Sequence, residues 1–306
     1  MAKRKPIDSK LNKKFIDYVN EHVENYIDPN NFLQSLNSWP EKAFRVNTHA
    51  VSIEDLCSDL KVEMSRVPWC RDASYFDYEL KLGQRIEHTK GRYYIGDPSA
   101  MALVEYLDIK PDDVVVDVCA APGGKSVHAL NKLGSNGFLI ANDVDPKRAD
   151  ILRENLYRTL NVIPENERPK YEITNLNIQE LSEKYADYAD VVILDAPCSG
   201  EAMMRRSYTA RRQWSEKLLM KMSILQKMLF TYSKVIAKPN SKIGYSTCTF
   251  NSLENDEVVN FAINNLSCTP VKLEGKTDGL YEREHIYVLY PHFVKGDGQS
   301  FAILTT

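Results

Sequence analysis

The sequence predicts an α/β fold: a mostly parallel sheet covered by helices on both faces, preceded by a smaller α+β part. Three observations carry this expectation. From about residue 110, short apolar runs alternate with stretches of helical periodicity. Residues 1 to about 90 lack that rhythm. Three unusual segments, CAAPGGK, DAPCSG and STCTF, each fall just past a predicted strand, where open sheets of this class bind ligands.

The elements follow in order. LNKKFIDYVNEHV (11–23) has the spacing of an amphipathic helix, and FRVNTHAVSIEDLCSDL (44–60) reads as strand then helix. VVVDVCAA (114–121) is a β-branched run ending in Pro-Gly-Gly, followed by a helix at SVHALNKL (126–133). FLIANDVD (138–145) is a second strand. PKRADILRENLYRTL (146–160) is a helix, because Pro146 suits a first helical position. YEITNLNI (171–178) and DVVILDAPC (190–198) are further strands, and 215–237 is a long helix. KIGYSTCTF (242–250) is a strand, and LENDEVVNFAINNL (253–266) a helix with Ser252 as its N-cap. HIYVLYPHF and QSFAILTT close the chain as strands around a KGDG turn. The domain expectation is 1–90 for the appendage and 91–306 for the main domain.

Composition narrows the classes. The 306 residues carry 43% hydrophobic and 26% charged residues, enough for a sizeable core. No run approaches the roughly 18 apolar residues of a membrane span. The start, MAKRKPIDSKLNKK, has basic residues but no apolar stretch after them, so no secretory signal is expected and the cytoplasm is. Six cysteines, at 57, 70, 119, 198, 248 and 268, form no C-x-x-C pair and no zinc-like cluster. Free thiols and no metal are expected. Cys57 and Cys268 read as small buried hydrophobes. A net charge of −3 excludes a uniformly basic nucleic-acid binder. Lys3, Arg4, Lys5, Lys10, Lys13 and Lys14 nevertheless cluster, as do Arg205, Arg206, Arg211, Arg212, Lys217 and Lys221. Such runs are either solvated faces or phosphate-binding ones.

Two segments point to chemistry. In CAAPGGK (119–125), Gly123 and Gly124 permit a tight turn and a close approach of ligand to backbone at a helix N-terminus. Asp143 ends the next strand, where an acid can hold ribose hydroxyls. The spaced G-x-G-x-x-G fingerprint is absent, which disfavours a nicotinamide cofactor and leaves adenosine ligands, S-adenosylmethionine among them. A plain turn with a solvated Asp143 is the alternative. Cys198 and Cys248 each follow a predicted buried strand, and Asp195 lies three residues before Cys198. Each thiol alone would read as core. Together, beside an acid and an adenosine site, they suit methyl transfer to carbon 5 of a pyrimidine. That carbon becomes nucleophilic only after a thiolate adds to carbon 6.

CAAPGGK, DAPCSGE and STCTF, in this order, strongly resemble the Nop/Sun family of RNA (cytosine-5) methyltransferases. GEAMMRR with Trp214 after it is most similar to the RsmF-type bacterial members. FRVNT (44–48) and PHFVKGDGQSFAIL resemble the family's opening and closing elements, so the likeness spans roughly residues 40–306. The resemblance implies a Rossmann-like S-adenosylmethionine-dependent methyltransferase fold, with S-adenosyl-L-methionine as cofactor. It implies that Cys119, Ala120, Ala121, Pro122, Gly123, Gly124 and Lys125 line the cofactor site. Asp143 would take ribose hydroxyls, Arg148 would lie close by, and Asn177 would stand where the family has an acid near the adenine. Asp195 would lie between methyl donor and base. Cys248 would be the nucleophile, and Cys198 would assist release of product. Arg45, Arg205 and Arg206 are the expected RNA contacts, with ordinary surface charge as their alternative. Trp69 and Trp214 either stack on bases or pack.

The implied partner is RNA, small-subunit rRNA before tRNA, met by a monomer with an unpaired or flipped target base. Three departures stand out: Asn177 itself, Gly200-Glu201-Ala202 in place of Gly-Glu-Gly, and YYIGDPSA without the usual Gln. The chain is also expected to lack the C-terminal domains of RsmF-type proteins, and with them part of their RNA surface. A catalytically silent RNA-binding assembly factor and a methyltransferase for protein or small molecules are the competing readings. Retention of both cysteines with Asp195 disfavours each.

Overall fold

A computed structural model describes residues 10–23, 27–275 and 277–306. Lys3, Arg4 and Lys5 of the first basic cluster lie outside the described residues.

The chain opens with helices α1 (Lys13–His22) and α2 (Pro29–Ser35). Asn12 and Asp28 cap them by accepting from the N–H groups of Lys14 and Asn30. Phe15, Tyr18 and Val19 form the buried stripe of α1. Phe15 meets Trp214 edge-on at 5.1 Å, and Phe32 of α2 meets Phe250 at 5.3 Å. These helices therefore pack against the core that the main sheet builds.

A small antiparallel sheet follows, made of β1 (Lys42–Val46), β2 (Ser65–Val67), β3 (Cys70–Phe76) and β4 (Tyr93–Gly96) in the order β2-β3-β1-β4. Helix α3 (Ile53–Leu60), capped by Ser52, seals one face with Ile53, Leu56 and Leu60. A short helix, α4 (Ile86–Thr89), precedes β4. Residues 43–46 pair with 93–96, so the small sheet runs past residue 90.

After α5 (Ala102–Tyr106), the main sheet is built from β5 (Val114–Asp117), β6 (Phe138–Asn142), β7 (Lys170–Thr174), β8 (Ala189–Asp195), β9 (Ala237–Thr247), β10 (Thr269–Pro270), β11 (Leu280–Arg283), β12 (Ile286–Leu289) and β13 (Gln299–Thr305). Its order is β11-β12-β13-β9-β8-β5-β6-β7, with β10 paired to β13. Strands β5 to β9 run parallel, while β11 to β13 are added antiparallel. The crossovers carry α6 (Gly124–Leu130), α7 (Pro146–Leu160), α8 (Ile178–Lys184), α9 (Tyr208–Gln213) and α10 (Glu216–Ile236), with α11 (Asp256–Leu266) after β9. Val115, Val116, Val192 and Ile193 are fully buried, which is why these strands read as continuous apolar runs.

The chain leaves β5 toward β6 and β7 on one side, then returns to β8 and β9 on the other. That reversal opens a crevice between the ends of β5 and β8. One expected cap moves: α11 begins at Asp256, not 253. The Ser252 carbonyl accepts from the N–H groups of Asn255 and Glu257, and the Asn255 carboxamide turns back onto the Thr249 and Asn251 carbonyls. Buried bonds to a neighbouring loop outweigh the local cap signal.

Candidate active site

The crevice holds a cavity of about 560 Å³, walled by the loop after β5, the ends of β8 and β9, and the hairpin before β13. Gly123 sits at φ +111, a left-handed conformation, and a Cβ there would lie 3.1 Å from Leu152. Glycine is what allows the loop to turn into α6. Cys119, Ala120, Ala121, Pro122, Gly124 and Lys125 line the cavity. Asp143 lies buried behind the loop, where its carboxylate accepts from the Ala121 N–H at 3.2 Å. Arg148 ties the two together, donating to the Ala121 carbonyl at 2.5 Å and standing 3.4 Å from Asp143.

Asn177 does not reach the cavity wall. It caps α8 in a capping box with Glu180: each side chain satisfies the other's backbone N–H. The signal was present in the sequence as N-I-Q-E. Asp117 was missed. This acid ends an apolar strand, lines the cavity and is fully buried. Burial, with Asp195 and Asp143 nearby, pushes it up to about 7 against the hydrogen bond from Ser126.

At the centre, Lys125 Nζ stands 2.8 Å from Asp195 Oδ2. Ser246 and Gln299 donate to the other oxygen at 2.8 and 3.3 Å. The carboxylate is thereby held at both oxygens. Beside it, Cys198 Sγ and Cys248 Sγ are 3.2 Å apart. The Cys248 sulfur, then burial, then Glu254 push the Cys198 thiol well above its ordinary range. Cys119 is no rival nucleophile, since burial and three carboxylates, Asp117, Asp195 and Asp143, raise its thiol strongly.

Two buried carboxylates clamp the cysteine loops together. Glu201 accepts from the N–H groups of Phe250 (2.7 Å) and Asn251 (3.2 Å), and from Trp214 Nε1 at 3.1 Å. Glu254 accepts from the Ser199 N–H and from Gln226 Nε2, both at 2.9 Å. Ala202 donates its N–H to the Cys248 carbonyl at 3.0 Å. The departure Gly-Glu-Ala is accommodated because the left-handed residue is Gly200, at φ +75, while Ala202 is buried in a 3₁₀ turn. Trp214 and Trp69 pack; both are buried, with indole N–H groups on Glu201 and the Pro98 carbonyl.

The predicted RNA arginines separate. Arg205 is buried and donates to the Ser38 carbonyl, the Ser38 hydroxyl and the Gly296 carbonyl. It is a strut between the residue 38 turn and the Gly296 turn. Arg45 is also buried; it lines the cavity and donates to the Gly124 carbonyl at 3.3 Å. Arg206 is partly exposed, lines the cavity and pairs with Asp297 at 2.7 Å.

Residues 104–305 match the family described as 16S rRNA methyltransferase RsmB/F. The chain belongs to the RsmB/F family. Residues 11–98 also match the N-terminal domain of 16S rRNA methyltransferase RsmF. A tRNA (cytosine(49)-C(5))-methyltransferase of Pyrococcus abyssi is 32% identical over 269 residues, covering 87% of this chain and 82% of its own. The ribosomal RNA small subunit methyltransferase F of Shewanella sp. (strain W3-18-1) is 28% identical over 265 residues, covering 83% of this chain and 53% of its own. The chain thus spans about half the length of that RsmF relative. Among solved structures, NSun6 from Pyrococcus horikoshii with SFG superposes with TM-score 0.81 at 19% identity, over 96% of this chain and 98% of that one. A methyltransferase homologue from the same organism gives 0.79 at 23%, over 97% and 100%. These likenesses establish the fold. In this RsmB/F chain, the site brings together Cys198, Cys248, Asp195, Arg148 and the Cys119–Lys125 loop, and it leaves out Asn177 and Arg205.

Proposed function

We propose that this RsmB/F chain methylates carbon 5 of a cytosine in RNA, with Cys248 as nucleophile, Cys198 assisting release and S-adenosylmethionine as cofactor. The observation that carries this reading is the Cys198–Cys248 contact of 3.2 Å beside an Asp195 fixed by Lys125. The cavity fits such a cofactor: the Gly124 loop lines it with backbone, and Arg148, backed by the buried Asp143, lines it beside that loop. Cys119 to Lys125, Asp143 and Arg148 would hold it. When bound, S-adenosylmethionine supplies an electrophilic methyl group.

The chain's own residues do the rest. Cys248 sulfur bonds to carbon 6, and the C5=C6 electron pair becomes available at carbon 5. Asp195, held on both oxygens, receives hydrogen bonds from the base edge and steadies the adduct. After methylation a water molecule takes the carbon-5 proton, the C–H electron pair reforms the C5=C6 double bond, and the C6–S bond breaks with its electrons returning to sulfur. The Cys198 S–H then donates to the departing Cys248 thiolate and stabilises it.

Small-subunit rRNA is the target we infer, from the RsmF N-terminal likeness over residues 11–98. A tRNA is the second reading, favoured by the 32% identity to a tRNA enzyme. The protein acts as a cytoplasmic monomer; among the described residues no helix is long and apolar enough to cross a membrane.

RNA bearing 5-fluorocytosine tests the chemistry. Cys248→Ala is expected to abolish both methyl transfer and the covalent adduct. Cys198→Ala is expected to form the adduct on ordinary RNA and hold it, a band that migrates with RNA in denaturing gels. A Cys198→Ala protein that turns over normally would refute the division of labour. Bisulfite sequencing of rRNA and tRNA from cells lacking the protein decides the target.

A further inference from the structure

Beyond Asp195 and Cys248, the cavity wall is formed where two glycine–aspartate turns meet. Asp297 donates its N–H to Asp97 Oδ1 at 2.7 Å, and Gly298 donates to Ser99 Oγ at 3.1 Å. A Cβ on Gly296 would fall 2.2 Å from Ser99 Oγ, so only glycine lets the turns close on each other. Arg205 braces this contact from below through the Gly296 carbonyl.

The Asp297 side chain is buried, at 4% exposure, and Arg206 holds one of its oxygens at 2.7 Å. Its other oxygen, Oδ1, has no partner, and neither does the buried Nε of Arg206. A buried acceptor left unmet is costly, so a group that arrives with a donor is strongly favoured there. Asp297, Asp97 and Arg206 line the same cavity as Asp195 and Cys248. Gln299, two residues along, donates to Asp195 at 3.3 Å. Asp297 and Gln299, the residue that touches Asp195, thus line one cavity two residues apart. The sugar of a target nucleotide carries the hydroxyl donor that such an acceptor calls for.

We propose that Asp297, oriented by Arg206, is a specificity-determining residue whose Oδ1 accepts the 2′-hydroxyl of the target cytidine, so that the enzyme selects ribose over deoxyribose. The proposal rests on the reading of the site as an RNA cytosine-5 methyltransferase. Its chemistry is the general one by which a protein separates RNA from DNA at a single position.

The test uses the full chain and two otherwise identical RNA oligonucleotides, one carrying 2′-deoxycytidine at the target position. The readout is kcat/KM for transfer of labelled methyl. The wild-type enzyme is expected to lose about 10- to 100-fold on the deoxy substrate, the range of a hydrogen bond to a charged acceptor. Asp297→Ala is expected to bring the two substrates within about twofold of each other. Asp297→Asn keeps the shape and one acceptor, and is expected to fall between; it also serves if the alanine variant fails to fold. A purely structural role would slow both substrates alike. An unchanged ribose preference in both variants, or no preference in wild type, overturns the proposal. A wild-type enzyme that methylates no RNA at all overturns the underlying reading instead.

Discussion

The two ends of the cavity are built by opposite means. At the cofactor end, the loop from Cys119 to Lys125 is turned by a left-handed Gly123 and the start of α6, and tied by Asp143 and Arg148, 22 and 27 residues beyond Ala121. At the thiol end, the loops of Cys198 and Cys248 are held by bonds across about fifty residues, from Glu201 to Phe250 and from Glu254 to Ser199. The first end is set by turn chemistry, the second by buried ionic acceptors. Local turns suit a site that only has to bind. Two sulfurs held 3.2 Å apart need the stiffer frame. If this contrast holds, damage at the thiol end should appear in turnover, and damage at the cofactor end in cofactor affinity.

The largest effect belongs to the thiol end. Glu254 is fully buried and accepts on both oxygens, from Ser199, Gln226 and Asn251. Glu254→Gln turns one acceptor into a donor facing another donor, at a cost of about 1–3 kcal/mol. The Ser199 loop then shifts, and kcat is expected to fall about 10- to 100-fold, as for a misplacement of roughly 1 Å. The cofactor dissociation constant, read by calorimetry, should stay within about twofold of wild type. A variant that loses cofactor affinity but keeps kcat would break the contrast.

The cofactor end gives the next effect. Gly123→Ala places a Cβ at φ +111 and 3.1 Å from Leu152. A left-handed non-glycine residue costs about 1–2 kcal/mol, so KM for the cofactor should rise roughly tenfold. At saturating cofactor, kcat should be unchanged. A fall in kcat with KM intact would mean that the loop also positions the thiols.

The same contrast explains what the sequence showed. The bounds of α7 follow from Pro146 at its first turn and from Asp145, which caps Lys147, all within three residues. CAAPGGK was legible for the same reason. Arg205 and Arg206 are adjacent in sequence and alike in charge, yet one is a strut and the other faces the cavity. Only the distant partners Ser38 and Gly296 separate them. Asp97 and Asp297 lie two hundred residues apart, each in an ordinary Gly-Asp turn, so nothing local marked their meeting. The stripe of the first helix was plain in the sequence, but the surface it covers, around Trp214, lies far along the chain.

The smallest effect concerns the two raised acids, one at each end. Burial pushes Asp117 to about 7, and burial with Asp97 brings Asp297 to about 7. An unfolded aspartate titrates near 3.9. Between those values the folded protein binds more protons than the unfolded one, so each acid lowers stability as pH rises from about 4 to about 7. Above about 7 the loss is complete and flat. His128, which burial lowers to about 3, works in the opposite sense over about 3 to 6.5, so the raw slope mixes the two. The difference between wild type and Asp117→Asn isolates the acid. The variant's melting temperature should gain on wild type as pH rises from 5 to 7, by a few degrees at most, since about 1 kcal/mol moves a chain of this size by roughly 2–4 °C. A constant offset between the two across that range would mean that Asp117 is ionised throughout.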